Sequence, residues 1–298
     1  MKPEDTEKTN IKSENFDKNT VHEMIEIFID EDKYIAHAIE KNRNDLNTLI
    51  EKIIISFKNG GRLIYVGAGT SGRLGVLDAT ECMPTFGIND KIIALIAGGD
   101  KALKNSIEGA EDKSSKGEED IETLKVNSLD VVLGISASGT ANYVHAALRE
   151  SSIKGCHTAL LTFNNISSKE YIDQIISINV GPELIAGSTR LKSGTATKMI
   201  LNMVSTISMV KINRTHNNLM LDMNIMNKKL QNRGIDIFTN LLDINHKTAL
   251  ELLEKCKGNV KLGIVMHKYN LTYKEAKDSL NKFDNSINKL MEHYNNFK

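Results

Sequence analysis

Residues 62–73 read RLIYVGAGTSGR. Arg62–Val66 is a short apolar run without alternation, the pattern of a strand covered on both faces. Gly67, Gly69 and Gly72 punctuate the turn that follows, and Ser71–Ala79 has helical character. A glycine turn between a strand and a helix brings backbone amides and the positive end of a helix dipole to one point. Phosphates bind there in α/β folds. The G-x-G-x-x-G spacing also fits a dinucleotide turn, and a tight turn that binds nothing is the plain alternative.

Working outward, four more continuous apolar runs follow: Lys91–Ile96, Asp130–Ile135, His157–Phe163 and Gln174–Val180. Helical segments lie between them at Ala102–Glu108, Ile121–Lys125 and Ala141–Ser151. Strands alternating with helices predict a mainly parallel five-stranded α/β sheet wrapped by helices. Upstream, Tyr34–Phe57 places apolar residues at helical spacing and stops at Asn59-Gly60-Gly61. Downstream, Ser193–Lys211 and Asn217–Gln231 read as helices. Short helices follow from about Asn245, one opened by the capping box Thr272-x-x-Glu275. The predicted organisation is a flexible or draping tail over 1–17, the α/β domain over 18–235 and a small all-helical module over 236–298.

The 298 residues balance 38 Lys and Arg against 38 Asp and Glu. That balance argues against a dedicated nucleic-acid or membrane-surface partner, both of which select a basic excess. Residues 1–17 contain no apolar signal core, and the uncharged stretch Val131–Leu148 is too polar to span a bilayer. Cys82, Cys156 and Cys256 match no metal or disulfide spacing, and His22 has no second histidine at zinc spacing. The expectation is a cytoplasmic protein without a metal site.

A second loop narrows the ligand. Asp130–Ile135 runs into Ser136-Ala137-Ser138-Gly139-Thr140 and then a helix. Hydroxyls and free amides at a helix start again suit an anion. A dinucleotide fold needs no second such loop, whereas a phosphomonoester on a sugar uses hydroxyls from both. In open α/β sheets these loops meet beyond the carboxyl ends of the strands.

These residues resemble the SIS-domain phosphosugar-binding proteins and, more narrowly, the N-acetylmuramic acid 6-phosphate etherases. The matching blocks are LIYVGAGTSGRLGVLDATECMPTFG (63–87), LIAGGDKALKNSIEGAED (95–112), GPELIAGSTRLKSGTATKMILNM (181–203) and NLMLDMNIMNKKL (218–230). The family pattern S-G-R-T-P-Y is here Ser138-Gly139-Thr140-Ala141-Asn142-Tyr143, which replaces the basic residue. The resemblance implies a three-layer αβα fold, a homodimer with shared sites, and cleavage of a lactyl ether from a phosphosugar without a cofactor. Removal of the C2 proton, α to the open-chain C1 aldehyde, needs a base, and the departing lactate needs an acid.

The resemblance puts Glu81 (D-A-T-E-C) forward as the acid and Glu111 (E-G-A-E-D) as the base. It further implies substrate-binding roles for Gly69, Thr70, Ser71, Ser136, Ser138, Gly139, Thr140, Glu183, Arg190 and Lys192, the last two facing an anion. Read alone, Glu111 is also consistent with a solvated acidic face and Glu81 with a helix-end acid. If one helix runs from Ser71 through Glu81, about 15 Å separates them, longer than a hexose phosphate. Either that helix breaks near Asp78 or Glu81 serves a neighbouring subunit. A non-catalytic phosphosugar sensor is the alternative function, and an aldose–ketose isomerase is a third. Retention of both glutamates favours the etherase.

Overall fold

The computed structural model describes residues 5–223, 225 and 227–296. The chain divides into two compact units: residues up to 79 together with 90–206, and residues 80–89 together with 207 onward.

In the first unit, three short 3₁₀ turns over residues 5–18 precede α1 (Val21–Lys41) and α2 (Arg43–Lys58). The chain continues through β1 (Leu63–Gly67), α3 (Gly69–Phe86), β2 (Ile92–Ile96), α4 (Lys101–Lys104) and α5 (Ser114–Leu124). Then come β3 (Val131–Ile135), α6 (Asn142–Ile153), β4 (His157–Thr162), β5 (Gln174–Ser177) and α7 (Lys192–Lys211). The strands form one parallel sheet in the order β2-β1-β3-β4-β5. Alternate strand residues serve opposite faces. Ile64, Val66, Val132 and Leu160 pack with Ile121 of α5 and Val144, Ala147 and Leu148 of α6. Tyr65 faces the other way, donating its hydroxyl to Asp78 of α3 at 3.0 Å, and Ser205 of α7 donates to the same carboxylate at 3.1 Å. The result is the three-layer αβα arrangement predicted.

One expectation within this unit changes. The single helix over Tyr34–Phe57 is two helices, interrupted at Asn42. The Asn42 amide bonds the Ile39 carbonyl at 3.0 Å and its side-chain amide reaches back to Ala38 at 3.1 Å, so the residue terminates α1, a stop that apolar periodicity does not register. Of the two forms expected for the N-terminal tail, flexible or draping, residues 5–17 take the second, held at two buried points, Thr6 and Asn10.

The second unit contains a hairpin of β6 (Thr215–His216) and β7 (Leu219–Met220), then α8 (Lys228–Leu242), α9 (His246–Lys255), α10 (Val260–Tyr269), α11 (Tyr273–Lys282) and α12 (Ile287–Asn296). Phe238, Ala249, Cys256, Ile264, Ala276 and Leu290 centre its core. The predicted helix over Asn217–Gln231 is corrected: its first residues turn the hairpin, with Asn217 at φ +50°, and α8 begins only at Lys228. Asparagine tolerates that left-handed conformation better than most residues. Among the described residues no helix is long and apolar enough to cross a membrane.

Candidate active site

Strands β1 and β3 are neighbours, and the chain leaves them toward opposite edges, to β2 and to β4. Their carboxyl ends flank the switch point of the sheet, the place where open α/β sheets bind ligands. The two small-residue loops read from the sequence both stand there.

The first loop is shaped by glycine. A Cβ on Gly67 would lie 2.6 Å from the Gly72 nitrogen, and one on Gly72 would lie 2.7 Å from the Gly67 oxygen. Strand end and helix start are therefore closer than any side chain permits. Gly69 has φ +53° and opens α3 toward free space, while Thr70 and Ser71 are half-buried in its first turn. Arg73 is committed elsewhere: its guanidinium donates to the carbonyls of Ala102 and Asn105, both at 2.9 Å, at the end of α4.

The second loop is closed on itself. The Ser136 hydroxyl accepts from the amides of Gly139 at 3.1 Å and Ala141 at 3.4 Å. Ser138 Oγ accepts from the Thr140 amide at 3.2 Å and shares a 2.8 Å bond with Thr140 Oγ1. The amides of Gly139, Thr140 and Ala141, expected free for an anion, are thus satisfied by the loop's own hydroxyls. Ser136 is buried and sets the loop's shape, while Thr140 is exposed and Ser138 half-buried.

Glu111 lies in the turn between α4 and α5 with its side chain exposed, and its carbonyl accepts the Tyr143 amide at 2.8 Å. That bond fixes Glu111 beside the second loop. Glu81 is also exposed, on a helix α3 that runs unbroken from Gly69 to Phe86, so the alternative of a break near Asp78 is removed. Glu81 belongs to the second unit and Glu111 to the first.

Two expected ligand residues are buried in internal bonds. Glu183 is fully buried, and its carboxylate accepts from the amides of Lys192 at 2.8 Å and Ser193 at 3.0 Å and from the Ser193 hydroxyl at 2.7 Å. A carboxylate there satisfies the open amides of α7 and its dipole. Lys192, expected to meet a substrate anion, is likewise buried, and its ammonium lies 2.6 Å from Glu31 of α1. Glu31 also accepts from Asn10 at 2.7 Å and pairs with Lys12 at 2.9 Å. Burial opposes its ionisation, but Lys192, Lys12 and Asn10 outweigh burial and hold its pKa down to about 2. Arg190 alone of the two expected cations is exposed.

The start of α7 nevertheless adjoins the first loop, since a Cβ on Gly194 would stand 3.5 Å from Thr70 Cγ2. Sequence reasoning missed the residue that ties the second loop down. Asn164, just past β4, donates to the carbonyls of Ala137 at 3.3 Å and Ser138 at 3.4 Å. It also exchanges two bonds with Thr6, at 3.1 and 2.9 Å, and the Thr6 carbonyl accepts the Gly187 amide at 3.1 Å. The available signal was position alone: Asn164 ends a third strand at the same edge of the sheet.

Comparison with known proteins adds an independent line. A model of the glucokinase regulatory protein N-terminal SIS domain matches residues 45–152. The chain is 44% identical to the N-acetylmuramic acid 6-phosphate etherase of Staphylococcus epidermidis, over 91% of this chain and 93% of that one. It is 41% identical to the protein of that name from Geobacillus sp., over 96% and 98%, and 42% identical to that from Bacillus subtilis, over 97% and 96%.

Proposed function

The chain belongs to the N-acetylmuramic acid 6-phosphate etherase family, and from that premise we propose which of its residues carry the reaction. The protein is a carbon–oxygen lyase that converts N-acetylmuramic acid 6-phosphate and water into N-acetylglucosamine 6-phosphate and D-lactate. In the open-chain sugar the C2–H bond breaks first, made acidic by the C1 aldehyde. The C3–O bond then breaks, lactate leaves with a proton on its oxygen, and a C2–C3 double bond remains. Water returns a hydroxyl to C3 and a proton to C2.

Glu111 takes the C2 proton, and Glu81 protonates the departing lactate. The Thr70 and Ser71 hydroxyls, the open backbone at Gly69, and Ser138 and Thr140 receive the phosphosugar, while Gly139, at φ +78°, lets the second loop turn between them. A phosphate replaces the Ser138–Thr140 hydroxyl bond with bonds of its own. Ser136 keeps the second loop in shape, and Arg190 faces an anion of the substrate.

The observation that carries the assignment is the bond from the Tyr143 amide to the Glu111 carbonyl, because it holds a solvent-facing carboxylate beside a phosphate-sized loop at the switch point. The enzyme works as a cytoplasmic homodimer with shared active sites. Support comes from the ten residue steps of unbroken α3 from Ser71 to Glu81, a rise of about 15 Å that exceeds a hexose phosphate. Val21, Ile25 and Ile29 add an exposed apolar stripe on α1, suited to self-association.

The sensor alternative is disfavoured, since relatives similar over nearly their whole length carry the etherase name. The deciding experiment is lactate release from N-acetylmuramic acid 6-phosphate, with the unphosphorylated sugar and Glu81→Ala as controls. Phosphate-dependent lactate that disappears in the variant is expected. Saturable phosphosugar binding without lactate moves the protein to the sensor class.

A further inference from the structure

Behind the second loop, on the α6 side, lies a cavity of about 430 Å³, within the size range of small-molecule sites. Gly139 and Thr140 form one wall. Asn142, His145 and Arg149 come from one face of α6, at the i, i+3 and i+7 positions, and Lys169 and Tyr171 come from the β4–β5 connection. Two cations and several hydroxyl and amide donors converge, and no acidic side chain lines the cavity among the described residues.

Two side chains in it are held in place. His145 Nε2 lies 2.7 Å from the Gly139 carbonyl, which only accepts, so that nitrogen carries the proton. In the neutral ring Nδ1 then accepts from the Tyr171 hydroxyl at 3.2 Å. The Arg149 guanidinium sits 4.9 Å above the centre of the Tyr171 ring, a cation–π contact that fixes its position. His145 thereby links the cavity to the loop through a single bond.

We propose that this cavity is a binding subsite for the phosphomonoester of a small sugar-sized molecule, with Arg149 and Lys169 as its cationic ligands. Arginine and lysine together favour a phosphate over a neutral ligand, and the loop amides cannot serve it there because they are taken up inside the loop. The cavity shares the wall Gly139–Thr140 with the proposed substrate loop but uses neither Glu81 nor Glu111, and its cations, Arg149 and Lys169, have no part in the etherase assignment.

The test follows the His145 ring signals by NMR while inorganic phosphate is titrated into the full-length protein. A saturable shift is expected. In Arg149→Ala/Lys169→Ala, and in Lys169→Glu as a second exposed change, the apparent Kd rises by roughly tenfold or more. No shift in the unmodified protein, or the same shift with the same Kd in both variants, overturns the proposal. N-acetylglucosamine 6-phosphate then identifies the source. If it displaces phosphate from the cavity, the site takes the phosphate of the enzyme's own sugar. If inorganic phosphate stays bound while lactate kinetics respond to the sugar, the site takes a separate phosphate ester.

Discussion

The backbone amide of Tyr143 donates to the carbonyl of Glu111 at 2.8 Å, joining the first turn of α6 to the turn that precedes α5. The Tyr143 hydroxyl donates to Asp120 of α5 at 2.5 Å. Burial first, and the Asp120 carboxylate second, push that phenol well above its ordinary pKa, so it remains a donor. Glu111 is thus positioned by its main chain and by the helix after it, while its carboxylate stays exposed. Changing the carboxylate leaves these ties in place.

Glu111→Gln therefore leaves a folded protein that forms lactate slower by roughly 10²–10⁴-fold, the usual contribution of a general base. It also loses exchange of the C2 proton with solvent. Glu81→Gln loses lactate to a similar degree but retains that exchange, because its role begins after the C2–H bond breaks. Deuterium incorporation at C2 in D₂O, measured beside lactate, separates the two. Exchange by Glu111→Gln at the unmodified rate removes Glu111 as the base.

Gly117 of α5 lies where that helix crosses α6, and a Cβ there would stand 2.2 Å from the Tyr143 carbonyl oxygen. Gly117→Ala must push α5 away and drag the Glu111 turn with it. Overpacking of this kind costs about 1–3 kcal/mol. A lowered Tm together with a lowered kcat is expected. A loss of Tm with unchanged kcat separates the packing from the placement of Glu111.

The strands were legible because their apolar runs are continuous, as burial on both faces requires, and both loops at the switch point were legible from glycine and serine spacing. The hairpin at Thr215–Met220 was not, because two-residue strands leave no period to read and Leu219, Met220 and Leu221 mimic a helical face. Lys192 stood in a loop of substrate-like composition. Nothing local reveals that its partner is Glu31, 161 positions away. Glu183 is a similar case: a carboxylate near a helix start reads equally as ligand or cap until the amides it meets are known.

The Glu31–Lys192 pair has a pH signature. The Glu31 pKa is lowered from 4.5 to about 2 on folding. Its contribution to stability is therefore fully present above pH 4.5, declines as pH falls below that, and is lost as pH passes through about 2. Glu31→Gln abolishes this component and strands the buried Lys192 ammonium, at a cost of about 3 kcal/mol. Urea unfolding at pH 7 and at pH 3 gives the check: the deficit of the variant is largest at pH 7 and shrinks at pH 3. An equal deficit at both contradicts the pairing.

Shared sites predict complementation. Glu81→Ala and Glu111→Ala are each inactive, and a mixed dimer carries one intact pair of acids if Glu81 serves the neighbouring subunit. Unfolding and refolding an equimolar mixture then restores about a quarter of the unmodified activity, since half the dimers are mixed and each holds one whole site. Mixed dimers verified by differently sized tags that remain inactive count against the shared site.

Thr6 and Asn164 connect the N-terminal segment to the second loop through reciprocal bonds. Asn164→Ala removes the donors to Ala137 and Ser138 and leaves the Thr6 amide without its acceptor. Unpaired buried groups cost about 1–3 kcal/mol. The larger consequence falls on binding, because the Ser138 carbonyl loses its donor, while Ala137 stays held by the Phe163 amide and the Thr162 hydroxyl. KM for the phosphosugar should rise while kcat changes less, since Glu111 is held separately through Tyr143. Thr6→Ala should shift KM in the same direction by a smaller factor, because the main-chain bond to Asn164 survives. Thr6→Ser keeps the hydroxyl that accepts from Asn164 and should restore the unmodified KM. A purely structural role for Thr6 lowers Tm in Thr6→Ala without moving KM, and that result separates the two.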